Sequence, residues 1–148
     1  KGIINIIDST HLKRNLHLTI QLLELGVPTL LVFNLKDALK NNGYVIDTDK
    51  ISTLLKSKTV NISAKERNKE DQLEIVDMIK NGEINLVFTT VDESRMEIAD
   101  SRSIRTTAQA NKVTYYTTIS AALAAVAGLR AIHELEVYDL QSLHASLH

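Results

Sequence analysis

Small polar residues recur in this 148-residue chain at places set by the short apolar runs before them. Asp8-Ser9 follows Ile3-Ile4-Asn5-Ile6-Ile7, and Asn34, with Asp37 just beyond it, follows Thr29–Phe33. Ser63-Ala64-Lys65 follows Thr59–Ile62, Thr89-Thr90 follows Ile84–Phe88, and Thr117-Thr118 follows Val113–Tyr116. Hydroxyls, side-chain amides and the unpaired N–H groups of a starting helix are the groups that hold a phosphate or a polar ring. Any one of these residues is explained as well by helix capping, which uses the same types. Their recurrence after every apolar run points to a rim shaped for a ligand, without identifying the ligand.

Such a rim needs elements that bring it together. Ile3–Ile7 is short, β-branched and nearly all apolar, the pattern of a strand buried on both faces of a parallel sheet. Asp8-Ser9-Thr10 supplies capping types ahead of a helix from His11 to Leu25, which Gly26 stops. Pro28 opens the second strand, Thr29–Phe33, and Asn41-Asn42-Gly43 is turn chemistry. Asp47 or Thr48 caps a short helix through Leu55, and Thr59–Ile62 is the third strand. A helix ends at Asn81-Gly82 ahead of the fourth strand, Ile84–Phe88. Another helix runs from Ser94 to Asn111, then the fifth strand, Val113–Tyr116, and an alanine-rich helix from Thr118 to Ile132. Leu135–Tyr138 reads either as an edge strand or as an extended tail. Strands that alternate with helices predict an α/β protein of three layers, α/β/α, around a five-stranded parallel sheet. Ligands of such sheets bind beyond the carboxyl ends of the strands, where the strand order reverses, and the polar pairs fall at those ends.

Composition narrows the function. Seventeen basic and eighteen acidic residues leave a formal charge of −1, so no overall field draws the chain to nucleic acid or anionic lipid. The longest apolar run, Ile119–Leu129, is interrupted by Ser120 and Gly128 and is too short to span a bilayer. There is no cysteine, so neither a disulfide nor a thiolate site can form. His11, His17, His133, His144 and His148 show no metal-ligand clustering, and neither a metal nor a cofactor is expected. These features predict a cytoplasmic protein without membrane attachment. The chain opens on Lys1 rather than methionine, as expected of a piece excised from something longer.

The first half carries a family likeness. Ile3-Ile4-Asn5-Ile6-Ile7-Asp8-Ser9-Thr10-His11-Leu12-Lys13-Arg14-Asn15-Leu16, followed by Thr19-Ile20-Gln21-Leu22-Leu23-Glu24-Leu25-Gly26-Val27-Pro28, resembles the G domain of bacterial ferrous iron transport protein B. Asn34-Leu35-Lys36-Asp37 falls where that family carries its Asn-x-x-Asp guanine motif, and Ser63-Ala64-Lys65 where it carries its base-contacting loop. The resemblance covers residues 1–66. It implies that Asp37 accepts two N–H bonds from a guanine edge, that Asn34 holds the neighbouring loop, and that the Ala64 N–H faces the guanine carbonyl. The departure from the family is that no G-x-x-x-x-G-K-[ST] occurs in the chain, nor the Mg²⁺-binding Thr or the Asp-x-x-Gly of a GTPase. Without those groups phosphoryl transfer has nothing to neutralise its charge.

The second half resembles another family. Ile75-Val76-Asp77-Met78-Ile79-Lys80-Asn81-Gly82-Glu83-Ile84-Asn85-Leu86-Val87 leads to Ile98-Ala99-Asp100-Ser101-Arg102-Ser103-Ile104-Arg105, then Val113–Thr118 and Val137-Tyr138-Asp139-Leu140-Gln141-Ser142-Leu143-His144. These residues, spanning 74–147, are similar to the methylglyoxal-synthase-like allosteric domain that ends the bacterial carbamoyl phosphate synthetase large chain. There the resemblance implies a nucleotide site at a strand end, where Thr89 and Thr90 stand here. The family often has Asn in place of Thr89. Its Gly-Arg-Pro element and the first half of its domain have no counterpart in the text.

Together the resemblances predict a chimera, engineered rather than natural, in one α/β domain over residues 1–148 with its seam at 66–74. Joining the two parts gives strand order 3-2-1-4-5, a flavodoxin-like sheet whose switch point lies between the first and fourth strands. The fourth strand then stands where a GTPase keeps its P-loop strand. The expected function is that of a scaffold with no catalytic residue and no selected activity. The alternative is a module that binds guanine or another nucleotide weakly through Asn34, Asp37, Ser63, Ala64, Lys65, Thr89 and Thr90. A second alternative is a phosphate-ester lyase of the methylglyoxal synthase type. That chemistry wants a carboxylate backed by a histidine; Asp100 is available, but no histidine lies between His17 and His133. A homodimer through the alanine-rich helix stays open.

Overall fold

The computed structural model describes residues 2–34, 39, 41, 43–62, 69–90, 99–132, 135, 137 and 139–146. Its centre is strand β1, Gly2–Asp8, in which every residue is buried. The run takes that position because Ile3, Ile4, Ile6 and Ile7 put apolar, β-branched side chains on both faces of the pleat, with Asn5 its one polar interruption before Asp8. Strand β2, Thr29–Asn34, pairs with it in parallel on one side, and β4, Ile84–Thr89, on the other. Strands β3, Thr59–Asn61, and β5, Thr114–Tyr116, complete the two edges. The order is β3-β2-β1-β4-β5, all parallel, as the sequence predicts.

Helices cover both faces. On one lie α1, Leu12–Leu23, α2, Thr48–Leu55, and α5, Ile119–Arg130. Leu18 and Leu22 of α1 and Ala122 and Val126 of α5 pack with Ile3 and Phe88, while Ile51 and Leu55 of α2 meet Ile7, Leu31 and Phe33. On the opposite face Ile75 and Ile79 of α3, Lys69–Lys80, and Ile104 and Ala108 of α4, Ala99–Ala110, close over Ile4, Ile6, Val32 and Val87. Each fully buried Val, Leu, Ile or Phe side chain among these contributes on the order of 1.5–3 kcal/mol. Each of these clusters except the one under α2 mixes residues from both halves of the chain. The β1–β4 pairing joins the halves through backbone hydrogen bonds as well.

Local chemistry sets the boundaries. The helix expected from His11 begins at Leu12, after a 3-10 turn over Ser9–His11. The helix expected to reach Leu25 ends at Leu23 with Glu24 as its cap. Gly26, two residues on, adopts φ +68, a left-handed conformation that costs glycine little and turns the chain toward β2. Of the two capping candidates before α2, Asp47 is the cap, accepting from the Lys50 N–H at 2.9 Å. Helix α4 is described from Ala99; the expected start at Ser94 lies outside the described residues. The edge strand considered over Leu135–Tyr138 is not seen at Leu135 or Val137, both outside regular structure. Beyond them a short helix, α6, Leu140–Ser146, forms instead. Asp139 starts it by accepting from the Ser142 N–H and hydroxyl, which favours a helical turn over continued extension. Among the described residues no helix is long and apolar enough to cross a membrane.

Candidate functional site

Strand order reverses between β1 and β4, so the crevice at their carboxyl ends is the candidate site. Thr89 lies in register with Ile6, and Asp8 with Asn34, so the ends of β2, β1 and β4 stand side by side. Of the expected site residues, the structure brings Asn34, Thr89 and Thr90 to this rim, all buried. Asp37, Ser63, Ala64 and Lys65 lie outside the described residues.

Some rim groups are committed to the fold. The Asp8 carboxylate accepts from the Thr10 N–H at 2.8 Å, the Thr10 hydroxyl at 2.6 Å and His11 Nδ1 at 2.9 Å. Burial pushes the Asp8 carboxyl up, but the hydrogen bonds from Thr10 and His11 outweigh it and hold the group below its usual value. Asn15, itself buried, donates to the carbonyls of Asp8 and His11, which ties α1 to the end of β1. Thr90 donates its N–H and its hydroxyl to the Ile6 carbonyl. Thr118 caps α5 by accepting from the Ala121 N–H.

Two hydroxyls are not committed. Ser9 Oγ, at the end of β1, and Thr89 Oγ1, at the end of β4, are buried and have no hydrogen-bond partner. An unpaired buried hydroxyl costs on the order of 1–3 kcal/mol. Ser9 belongs to the rim that the sequence marks but not to the seven residues expected to bind a nucleotide. Its only signal in the sequence was its position directly after the first strand. Among the described residues no group of three or more His, Asp or Glu side chains is placed to hold a metal ion. Of these rim groups the Asp8 carboxylate is spent on Thr10 and His11, while the Ser9 and Thr89 hydroxyls are neutral groups of the kind that hydrogen-bond a phosphate or a polar ring.

Comparison with known proteins gives the kinship of the chain. The family model described as ferrous iron transport protein B matches residues 1–79. The chain belongs to the ferrous iron transport protein B family. The Fe(2+) transporter FeoB of Legionella pneumophila (strain Lens) is 45% identical over 62 residues, 42% of this chain and 8% of the transporter. The G-domain of FeoB from Methanococcus jannaschii, a solved structure, shares 40% identity over 51% of this chain and 50% of that one, with a TM-score of 0.46. A second kinship accompanies this FeoB-family part. The carbamoyl phosphate synthase large chain of Ralstonia nicotianae is 55% identical over 106 residues, 71% of this chain and 10% of the synthase. The chain thus spans about a tenth of the length of the curated relatives it matches. A 106-residue match is longer than the 74–147 span marked by the motifs and reaches into residues that the FeoB family model also matches. The two kinships overlap in the middle of the chain.

Acid tests the Asp8 arrangement. A carboxyl held below its ordinary value of 3.8 stabilises the fold fully above that pH, and the contribution is lost as pH falls through the lower folded-state value. Asp8→Asn is expected to cost about 1–2 kcal/mol at neutral pH and to flatten the loss of stability below pH ~4. Urea melts across that range check it. Superimposable acid profiles for parent and variant would show that Asp8 contributes nothing.

Proposed function

We propose that the chain is an engineered chimeric scaffold, assembled from a FeoB G-domain part and a carbamoyl phosphate synthase part, with no catalytic turnover. The observation that supports this reading is the β1–β4 pairing. It sets a strand from the synthase-like part beside the first FeoB-like strand, and the chain contains no phosphate-cradling Gly-rich lysine loop. Incubation with GTP and Mg²⁺ should release phosphate no faster than buffer. Release above that background, abolished by Asp37→Ala, would overturn the absence of turnover. A genome carrying both parts in one reading frame would overturn the engineered origin.

The unpaired Ser9 and Thr89 hydroxyls favour a second reading, in which the crevice binds a phosphate or a guanine nucleotide weakly and without metal. Titration calorimetry with GDP, IMP and UMP should then give weak heats that EDTA leaves unchanged. Thr89→Val keeps the shape and removes the hydroxyl. Because that hydroxyl has no partner in the fold, the variant should lose binding while melting at or slightly above the parent temperature. No heat at millimolar ligand would dispose of this reading.

A further inference from the structure

On the face away from α3 and α4, helices α1 and α5 form a groove of about 860 Å³. Leu12, Leu16 and Ile20, spaced four apart on α1, supply one wall, and Ile119 and Leu123 of α5 the other. Far down the two helices Arg130 donates to Glu24, so the pair is clamped at its carboxyl ends while the groove opens between the first turns. Lys13, Arg14 and His17 line the same groove. An apolar trough with basic groups along it asks for an amphipathic segment that carries acid.

The same chain carries one. Leu135, Val137, Leu140 and Leu143 are all exposed, at 67%, 94%, 75% and 46%, and α6 buries none of its residues. The stretch from 133 to 146 contains Glu134, Glu136 and Asp139 and neither Lys nor Arg. Its apolar side chains match the groove in kind, and its carboxylates match the groove's cations in sign. Within the single chain the described tail residues stay exposed, and none of them lines the groove.

The geometry points to a homodimer in which the carboxyl-terminal segment of each copy, including α6, docks in the α1–α5 groove of the other. The occupant is thus a second copy of this chain. Apolar burial supplies the attraction, and the opposite signs of charge in the tail sequence and along the groove set the pairing, which weakens as salt rises.

Light scattering coupled to size-exclusion chromatography on the full chain tests this, at about 100 µM to favour a weak dimer. The intact chain should elute at twice the chain mass. Leu140→Glu/Leu143→Glu in the tail and Ile20→Glu in the groove should each give a monomer. These positions are exposed, and an unchanged circular-dichroism melt confirms that each variant folds. Mixing the two variants should restore dimer, because one intact tail then meets one intact groove. Lys13→Glu/Arg14→Glu should also dissociate the dimer, and adding Glu134→Lys/Glu136→Lys should recover it. A monomer for the intact chain, including one with the tail amides protected against hydrogen exchange by its own groove, would overturn the proposal. So would a dimer indifferent to either set of substitutions.

Discussion

Asn5→Asp is expected to cost at least about 3 kcal/mol at pH 7, although it changes little of the side chain's shape. Asn5 lies in the middle of the central strand with 1% of its surface exposed. Its Nδ2 donates to the Thr19 hydroxyl at 2.9 Å, and that hydroxyl spends its own proton on the Asn15 carbonyl at 2.8 Å. The other amide atom, Oδ1, has no partner. A carboxylate at this position would face an acceptor on one side and nothing on the other, a buried charge without compensation. The new carboxyl therefore stays protonated in the folded state, with its pKa raised above the unfolded value. The sign follows from linkage. The penalty is absent below the unfolded value of about 4 and grows by about 1.4 kcal/mol per pH unit above it, until the folded value is reached. Urea melts of parent and variant at matched pH from 4 to 7 measure it, with the parent at each pH removing the Asp8 contribution. A difference constant across that range would mean that water reaches Asn5. Asn5→Leu, which removes the unpaired oxygen along with the donor, should cost less than Asn5→Asp at pH 7.

The Asn5 network marks how far residues alone can be read. Asn5 is visible in the sequence as a polar break in an apolar run, and Asn15 and Thr19 are visible as one face of a helix. That they meet depends on how α1 seats on β1, which spacing along the chain does not specify. The strands themselves were legible because each is a compact apolar run bounded by Gly, Pro or capping residues, as with Gly26 and Pro28 ahead of β2. Their order was not legible from those runs. It followed from the two family likenesses together with the handedness of crossovers. Helix α6 is harder to read because it buries no residue and spans only seven, so Leu140 and Leu143 are its whole apolar pattern.

The rim divides in the same way. Polar types at strand ends identify the edge where a site can form. Which of them stay unpaired depends on register across strands, including the irregularity between Gly2 and Ile3 where β1 meets β4. Thr90 spends its groups on Ile6, whereas its neighbour Thr89 has no partner for its hydroxyl. Adjacent residues of one type thus differ in what they can offer a ligand.

The largest single loss is expected at Phe88, and it also tests whether the two parts of the chain share one folding unit. Phe88 is fully buried on β4 and stacks on Tyr116 with ring centroids 5.1 Å apart and planes 11° from parallel. Ile3, Leu18 and Leu22 of the FeoB-like part pack in the same cluster, with Ala122 and Val126 of the other part. Phe88→Ala empties that junction and should cost about 3–5 kcal/mol. A domain of this size is stable by only about 5–15 kcal/mol, and each kcal/mol lowers the melting temperature by a few degrees. Leu54→Ala, at a side chain 71% exposed, should shift stability by less than about 0.5 kcal/mol and serves as the reference. The informative measurement is residue-resolved hydrogen exchange on the Phe88→Ala variant. Because the side chain contacts both parts, amides of β1 and β2 should lose protection together with those of β4 and β5. Retention of protection in residues 2–34 while 84–126 exchange freely would mean that the two parts hold together as neighbours and not as one cooperative core.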